Sequence, residues 1–271
     1  MISLTLNVAL TAGLDLAAIN PTAFAGLNLA KIERLRIQYG PAQVRLADLF
    51  RITGTLDESL EINSESATLH GIGSALNSGK ITLNGDAGDY LGAGMRGGEV
   101  VCAGNAGERA AAGMRGGRIE VTGSVGNFAG GTLMGATTGM KGGALIVGKH
   151  AGARLGDRMR RGLIMVRGNV GPQAGSQMIA GTLALLGGTA TGLGTGMRRG
   201  TLLVADRDAV LPASFVVTGC YALPFVAVLC RHLAALKPPW RSRLAAFTEI
   251  ERAVGDRGCD GLGEILIARG E

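Results

Sequence analysis

A 19-residue repeat runs through the middle of the chain and limits how it can fold more than any other feature. If the glycine after each methionine-led triplet is position 1, the units begin at Gly79, Gly98, Gly117, Gly143, Gly162, Gly181 and Gly200. Successive units are 19 residues apart, except for one step of 26 residues between Gly117 and Gly143. The extra seven residues, between Phe128 and Thr138, therefore form one insertion, which we expect to bulge out while the flanking units stay in register.

The repeat has the periodicity of strands rather than helices. Positions 3 and 5 are aliphatic or Cys, and residues two apart lie on one face of a strand. Glycine recurs at positions 7, 10 and 14, where it allows sharp bends. We predict an all-β fold, a single-stranded parallel β-helix of about seven 19-residue coils roughly 4.8 Å apart. Its interior holds the methionines that recur in phase, Met95, Met114, Met140, Met159, Met178 and Met197.

The string GAGMRGG at 92–98 also has the G-x-G-x-x-G spacing of a dinucleotide-binding turn. Close variants return at 111–117, 137–143 and 194–200, in phase with the repeat. Because a pyrophosphate needs one such turn, we interpret these glycines as corners of the fold and predict no cofactor-binding residue here.

The period divides the chain into three parts. We predict an N-terminal α/β cap over 1–58, the β-helix over 59–210 and a helical tail over 211–271. Residues 60–78 fit a degenerate first coil with Ile62 at position 3, and 241–254 form a second amphipathic stretch in the tail. The first tail helix, 222–236, has an apolar stripe of Phe225, Val228, Leu229, His232, Leu233 and Leu236.

The outward positions 2 and 4 change character along the repeat. They are mostly polar in the first three coils and mostly apolar in the last four. An exposed apolar strip of that length is unfavourable, so either the tail helix or a partner subunit must cover it.

The composition restricts the compartment and the partners. A net charge of +6 favours an acidic partner or an anionic ligand. No aromatic residues lie among the basic ones, so we predict no nucleic-acid binding. The longest apolar run, at 221–230, is too short for a membrane span, and the first residues do not resemble a signal peptide. With four unpatterned cysteines, the chain is predicted to be cytoplasmic.

The residues that usually perform catalysis are scattered. His70, His150 and His232 form no group with metal-ligand or triad spacing, so no catalytic or metal-binding residue is predicted. Asp86, Asp89 and Asp157 fall in turns, where we expect them to cap backbone amides. Asp256 and Glu264 are expected to dock the tail.

Two features point to contacts with other molecules. Position 18 is basic in most units and predicts an outward column of cations, the basic column, made of Arg96, Arg115, Lys141, Arg160 and Arg198. These side chains either extend into solvent or bind an acidic surface of another subunit. Leu133 and Met134, at the tip of the insertion, are either candidates for a contact with another subunit or part of a plain surface loop.

The tandem pattern G-x-[IV]-x-V-x-G followed by G-x-x-x-G-x-x-M-x-G-G resembles two families. One is the C-terminal glycine-rich domain of glutamate synthase, and the other is the C subunit of formylmethanofuran dehydrogenase. The tail RAVGDRGCDGLGEILI (252–267) and the whole-chain layout resemble the second more closely. Its bacterial members belong to the formyltransferase/hydrolase complex of methylotrophs.

The resemblance implies a non-catalytic structural subunit of a hetero-oligomeric complex in one-carbon metabolism. Its partners would be amidohydrolase-like, dehydrogenase-like and formyltransferase subunits. The complex would use a methanofuran-type carrier and tetrahydromethanopterin, neither bound directly by this chain. The anionic glutamyl tail of that carrier is then a further candidate ligand for the basic column. Whether the chain is itself an enzyme stays open. Two alternatives remain, a glutamate synthase-type domain that partners an amidotransferase, and a hexapeptide-repeat acyltransferase, against which the 19-residue period argues.

Overall fold

The chain is mostly β-strand with few, short helices, so the predicted all-β class is confirmed. A computed structural model describes residues 1–55 and 57–270. The helices are α1 (Pro21–Phe24), α2 (Leu29–Glu33), α3 (Leu46–Leu49), α4 (Pro224–Leu236) and α5 (Arg241–Leu244). The strands are β1 (Ile2–Leu6), β2 (Leu14–Asp15), β3 (Arg36–Tyr39), β4 (Ala42–Arg45), β5 (Phe50–Gly54), β6 (Ser59–Asn63), β7 (Leu69–His70), β8 (Lys80–Asn84), β9 (Glu99–Cys102), β10 (Arg118–Val121), β11 (Lys141–Val147), β12 (Arg161–Val166), β13 (Thr182–Leu185), β14 (Thr201–Val204), β15 (Val216–Tyr221), β16 (Ile250–Gly255) and β17 (Gly263–Ala268).

Most strands belong to one large sheet of 13 strands. Its order is β15-β16-β17-β14-β13-β12-β11-β10-β9-β8-β6-β1-β5. The pairs from β1 through β6 and β8 to β14 and on to β17 are parallel, while the pairs at both ends are antiparallel. A smaller sheet, β4-β3-β2-β7, lies at the N-terminal end. No helix among the described residues has the length and hydropathy needed to cross a membrane.

The register of the large sheet follows the repeat. Position-3 residues pair from one strand to the next, in the order Ile81, Val100, Ile119, Leu145, Ile164, Leu183 and Leu202. A second set of parallel bridges joins Ala87, Ala106, Val125, Ala151, Val170 and Thr189, again one per unit. Both series cross the 26-residue step without a break, so the insertion leaves the flanking units in register, as predicted.

The interior is built from the repeated aliphatic and methionine positions. All six methionines of position 17 are fully buried. The Met159 methyl carbon occupies the space beside Gly181, where an added Cβ would lie only 2.9 Å from it. Gly181 also has φ +113, which a residue with a side chain rarely adopts. Glycine and methionine are therefore complementary: one leaves the room that the other fills.

The first unit differs from the predicted alignment. Leu60 pairs with Ile81, and Ile62 pairs with Leu83, so Ile62 occupies position 5 rather than position 3. Leu76 still takes the methionine place, since its carbonyl accepts from Arg96 as Met95 accepts from Arg115. The first unit therefore has two extra residues between strand β6 and Leu76. A two-residue shift keeps the same side chains facing inward, so the hydrophobic pattern alone does not reveal it.

The C-terminal tail is less helical than predicted. The stretch 241–254 contains only the short α5 before the chain enters β16. Strand β17 then pairs in parallel with β14, and Leu202 lies opposite Ile265. The motif at 252–267 is thus a β-hairpin that continues the large sheet.

Helix α4 covers the apolar outer face of the last units. Ile146, Met165, Ala184 and Leu203, all at position 4, are fully buried in one cluster with residues of α4 and α5. The helix makes this contact through Val226, Cys230 and Leu233.

The predicted stripe of α4 was only partly right. Leu233 is buried, but Phe225 is 46% and Val228 58% exposed. The helix carries apolar residues on more than one face, so the periodicity alone could not select the one that packs.

The interior position of Met159 predicts a large cost for its truncation. Met159→Ala should lower the free energy of unfolding by about 2–5 kcal/mol, because it leaves a cavity in a closely packed interior. Chemical denaturation monitored by circular dichroism measures this. Met134→Ala is the matched control: Met134 is 76% exposed, and its truncation should change the free energy by less than about 0.5 kcal/mol. Equal effects of the two variants would contradict the interior role.

Candidate functional site

The basic column lies on the surface as a regular series. Arg96, Arg115, Lys141, Arg160 and Arg198 are all exposed. The backbone N–H of each donates to the carbonyl of the position-17 residue one unit earlier, at 2.6–2.8 Å. Ile179 occupies the remaining place in the column, so the series is interrupted once. The backbone ladder, rather than any side-chain contact, aligns these cations.

The positive charges of the column are not neutralised by acidic side chains of the described residues. Among the described residues, no carboxylate lies within ion-pairing distance of its five members, although other cations are paired, as Lys80 is with Glu99 at 3.0 Å. Cations on backbones roughly 4.8 Å apart repel each other by about 1 kcal/mol in water. A negatively charged group placed along the column would relieve this repulsion.

The insertion loop, residues 128–138, is fixed to the body at its base. Phe128 lies between two guanidinium groups, with Arg109 at 4.8 Å and Arg154 at 5.3 Å from the ring centre. Arg109 also donates to the carbonyl of Thr132 at 2.9 Å. Leu133 is half-buried, whereas Met134 is 76% exposed. Of the two predicted contact residues, Met134 alone is freely accessible.

Histidines and acids in the turns act as acceptors for backbone amides. His70 Nδ1 accepts from Asp89 N–H at 3.0 Å, and His150 Nδ1 accepts from Asn169 N–H at 3.0 Å. Asp86 and Asp89 accept from the backbone N–H one unit later, at 2.6 and 2.7 Å, so their predicted capping role is confirmed. His232 is exposed on α4, away from these turns.

Two buried acids are held differently. Asp157 accepts from the hydroxyl of Ser176 and from Arg154 at 2.9 Å, so its partners are side chains and not the predicted backbone amides. Asp256 accepts from Gly196 N–H and Gly258 N–H, each at 2.8 Å. Burial opposes ionisation of Asp256, but these hydrogen bonds hold its pKa below the usual value. Asp256 thus fastens the tail motif to the unit that begins at Gly181.

The chemistry available at the remaining candidates is limited. Burial raises the pKa of both Cys102 and Cys230 to about 11, so both thiols are protonated at neutral pH. Over residues 1–55 and 57–270, no group of three or more His, Cys, Asp or Glu side chains has the geometry of a metal site.

Sequence reasoning missed an ionic clamp at the end of α4. Glu120 accepts hydrogen bonds from Lys237, which follows α4, and from Arg118 at 2.9 Å. Arg118 also donates to the carbonyl of Leu236 at 3.1 Å. A signal was present: Glu120 is the last polar residue at position 4 before the apolar series begins. The clamp marks that boundary and holds the covering helix against the sheet.

Three comparisons with known proteins bear on the family. No protein-family model matches the chain. It is 36% identical over 81 residues to the C subunit of the molybdenum-containing formylmethanofuran dehydrogenase 1 of Methanothermobacter thermautotrophicus; the match covers 29% of this chain and 20% of that protein. It is 39% identical over 91 residues to the C subunit of the formyltransferase/hydrolase complex Fhc of Methylorubrum extorquens, over 34% of each chain. The sequence matches thus span a fifth to a third of these curated relatives.

A structural comparison extends the likeness to the whole chain. A chain in the crystal structure of the formyltransferase/hydrolase complex FhcABCD from Methylorubrum extorquens, determined with methylofuran, superposes with a TM-score of 0.87. The two chains are 36% identical, and the superposition covers 98% of each.

Fold and surface together define an all-β repeat protein with a helical cover on one outer face and a basic column on another part of its surface. Within that class, the chain belongs to the family formed by the C subunits of formylmethanofuran dehydrogenase and of the Fhc complex.

The clamp predicts a pH-dependent contribution to stability. Burial would raise the pKa of Glu120, but hydrogen bonds from Lys237 and Arg118 hold it below its ordinary value of 4.5. The stabilisation is therefore fully present above about pH 4.5 and is lost as the pH falls through the lower folded-state pKa. Glu120→Gln should cost roughly 1–3 kcal/mol of unfolding free energy near pH 7 and progressively less below pH 4.5.

Denaturation curves of both proteins between pH 3 and 7 measure this difference. Glu33→Gln is the control, because Glu33 is exposed on α2. It should change the unfolding free energy by less than about 0.5 kcal/mol at every pH. A Glu120→Gln cost that is independent of pH would exclude the ionic clamp as its source.

Proposed function

We propose that the chain is a non-catalytic structural subunit of a formyltransferase/hydrolase complex in one-carbon metabolism. The observation that carries this proposal is the near-complete superposition, at 36% identity, on a chain of the FhcABCD complex. The whole-chain likeness favours this function over that of a glutamate synthase-type domain.

The fold proposed for this role is a single-stranded parallel β-helix of about seven coils. Two series of parallel bridges per unit support it, because each unit must turn between them at its glycines. The proposed divisions are a cap over 1–58, the β-helix over 59–210 and the tail over 211–271. A rigid rod of this kind suits a scaffold, since partners can bind at fixed separations along it.

A structural role is also supported by how the chain uses its polar side chains. His70, His150, Asp86 and Asp89 accept hydrogen bonds from the backbone of the next unit. One acceptor atom of each side chain thereby joins neighbouring units. The amidohydrolase-like, dehydrogenase-like and formyltransferase subunits of the complex would supply the reaction centres.

The complex would transfer a formyl group between a methanofuran-type carrier and tetrahydromethanopterin. The presence of methylofuran in the crystal structure of the related complex supports the carrier. We propose that this chain binds neither molecule in a reaction centre of its own.

The proposed function predicts assembly without activity. Affinity-tagged chain, expressed in its native host, should recover the formyltransferase and amidohydrolase-like subunits, and the recovered complex should turn over formylated carrier. The purified single chain should show no transferase, hydrolase or dehydrogenase turnover. Mass spectrometry and activity assays measure the two results. Turnover by the isolated chain would refute the non-catalytic role, and recovery of no partner would refute the subunit role.

We also propose that the basic column binds an acidic partner surface or the anionic tail of the carrier. Its five cations are exposed and have no carboxylate partner among the described residues. Met134 offers a second contact at the tip of the insertion loop, and the half-buried Leu133 precedes it in the chain. In the recovery assay, Leu133→Ser with Met134→Ser should reduce the partner recovered; unchanged recovery would mean a plain surface loop.

Charge reversal tests the column. Arg96→Glu with Arg115→Glu should reduce partner recovery or carrier affinity at least tenfold while leaving the melting temperature nearly unchanged, because both side chains are exposed. Wild-type binding should also weaken with salt, as the Debye length falls from about 10 Å at 0.1 M to about 3 Å at 1 M. Arg34→Glu with Arg36→Glu, on the exposed surface of the N-terminal cap, is the matched control. Wild-type assembly and carrier affinity in the folded double variant would show that the column is only solvated.

A further inference from the structure

A cleft of about 600 Å³ opens between α4 and α5, on the flank of α4 that neither packs on the sheet nor carries Phe225 and Val228. Its walls are largely apolar and combine large side chains such as Leu244 and Phe247 with several alanines. Ala227 and Ala234 line it from one face of α4, and Ala245 lines it from the α5 side. Because these side chains are short, another backbone can approach closely.

The rim of the cleft is cationic. Arg231 and Arg241 both line it, and both are exposed. Arg231 donates only a long 3.4 Å bond to the Ala227 carbonyl of its own helix. Within residues 1–55 and 57–270, neither guanidinium has a carboxylate in ion-pairing distance, and none of the lining residues is acidic.

Two neighbouring cations, Arg243 and Lys237, make structural contacts within the chain. Arg243, two residues after Arg241, donates to the Leu186 carbonyl at 2.6 Å and so ties α5 to the sheet. Lys237 is engaged by Glu120. Arg231 and Arg241 have no such contact with the residues that the structure describes, and they flank an apolar cleft. That combination selects a ligand with apolar side chains and adjacent carboxylates.

We propose that the α4–α5 cleft binds an acidic amphipathic segment of a partner subunit. Its apolar side chains would enter the cleft and its Asp or Glu side chains would pair with Arg231 and Arg241. Charge complementarity disfavours a second copy of this chain, which has a net charge of +6 and would bring further cations to the rim. The proposal rests on the proposed function, since it specifies one surface through which the structural subunit holds the complex.

Two variants with matched controls test the cleft in the assembled complex. Ala227→Trp fills the cleft, while Ala235→Trp adds the same side chain at an exposed position of the same helix. Arg231→Glu with Arg241→Glu reverses the rim, and the cap pair Arg34→Glu with Arg36→Glu is its control. We expect both cleft variants to reduce the recovered partner subunits at least tenfold and both controls to leave recovery unchanged.

Photocrosslinking gives a readout that does not depend on the folding of a disruptive variant. Benzoylphenylalanine at position 227 should crosslink to a partner subunit within the complex, and at position 235 it should not. Peptide mapping should place the crosslink in a segment where apolar residues adjoin Asp or Glu.

The outcomes distinguish failure of the cleft proposal from failure of the proposed function. Wild-type recovery in both cleft variants, or a crosslink from position 227 only to another copy of this chain, overturns the cleft proposal and leaves the structural subunit intact. Recovery of no partner by the wild-type chain refutes the proposed function, and the cleft proposal fails with it.

Discussion

The fixed register of backbone hydrogen bonds between successive units is the constraint on which the rest of the structure depends. Arg96, Arg115 and Arg160 are aligned on the surface because their N–H groups all donate to the same position one unit earlier. The same register places each buried methionine beside the glycine that leaves room for it. Function at the surface and packing in the interior are therefore set by one backbone geometry.

The sequence predicts well whatever the repeat itself encodes. The period, the buried methionines, the paired position-3 residues and the insertion are all visible in one chain, because each recurs and recurrence makes a weak local signal strong. The apolar outer face of the last units is predicted for the same reason. The repeat thus predicts how the units stack, but it does not predict individual contacts that occur only once.

The parts that the sequence does not predict are the ones that occur once. Helix α4 has apolar residues on several faces, so its buried side depends on where Ile146 and Met165 happen to lie. The clamp of Glu120 with Lys237 joins residues far apart in the chain. Strand β17 begins with Gly263 in the place of a position-1 glycine, but it lies outside the 19-residue spacing, so the period does not predict its pairing with β14. On the surface, the sequence predicts that the basic column is exposed, but the spacing of its residues does not identify a partner.

The C-terminal hairpin has a consequence for the size of the molecule. Asp256 N–H donates to the Met197 carbonyl and Glu264 N–H to the Gly200 carbonyl, which are two of the carbonyls to which a further unit would donate. Met197 packs beside Gly263 just as Met159 does beside Gly181. Strand β17 thus takes the place of the next unit, and β16 and β15 extend the sheet antiparallel beyond it, so the sheet does not end on a parallel strand of the repeat. A parallel stack is otherwise a template for filaments, and this hairpin gives the molecule a defined length, with its own chain as the terminator.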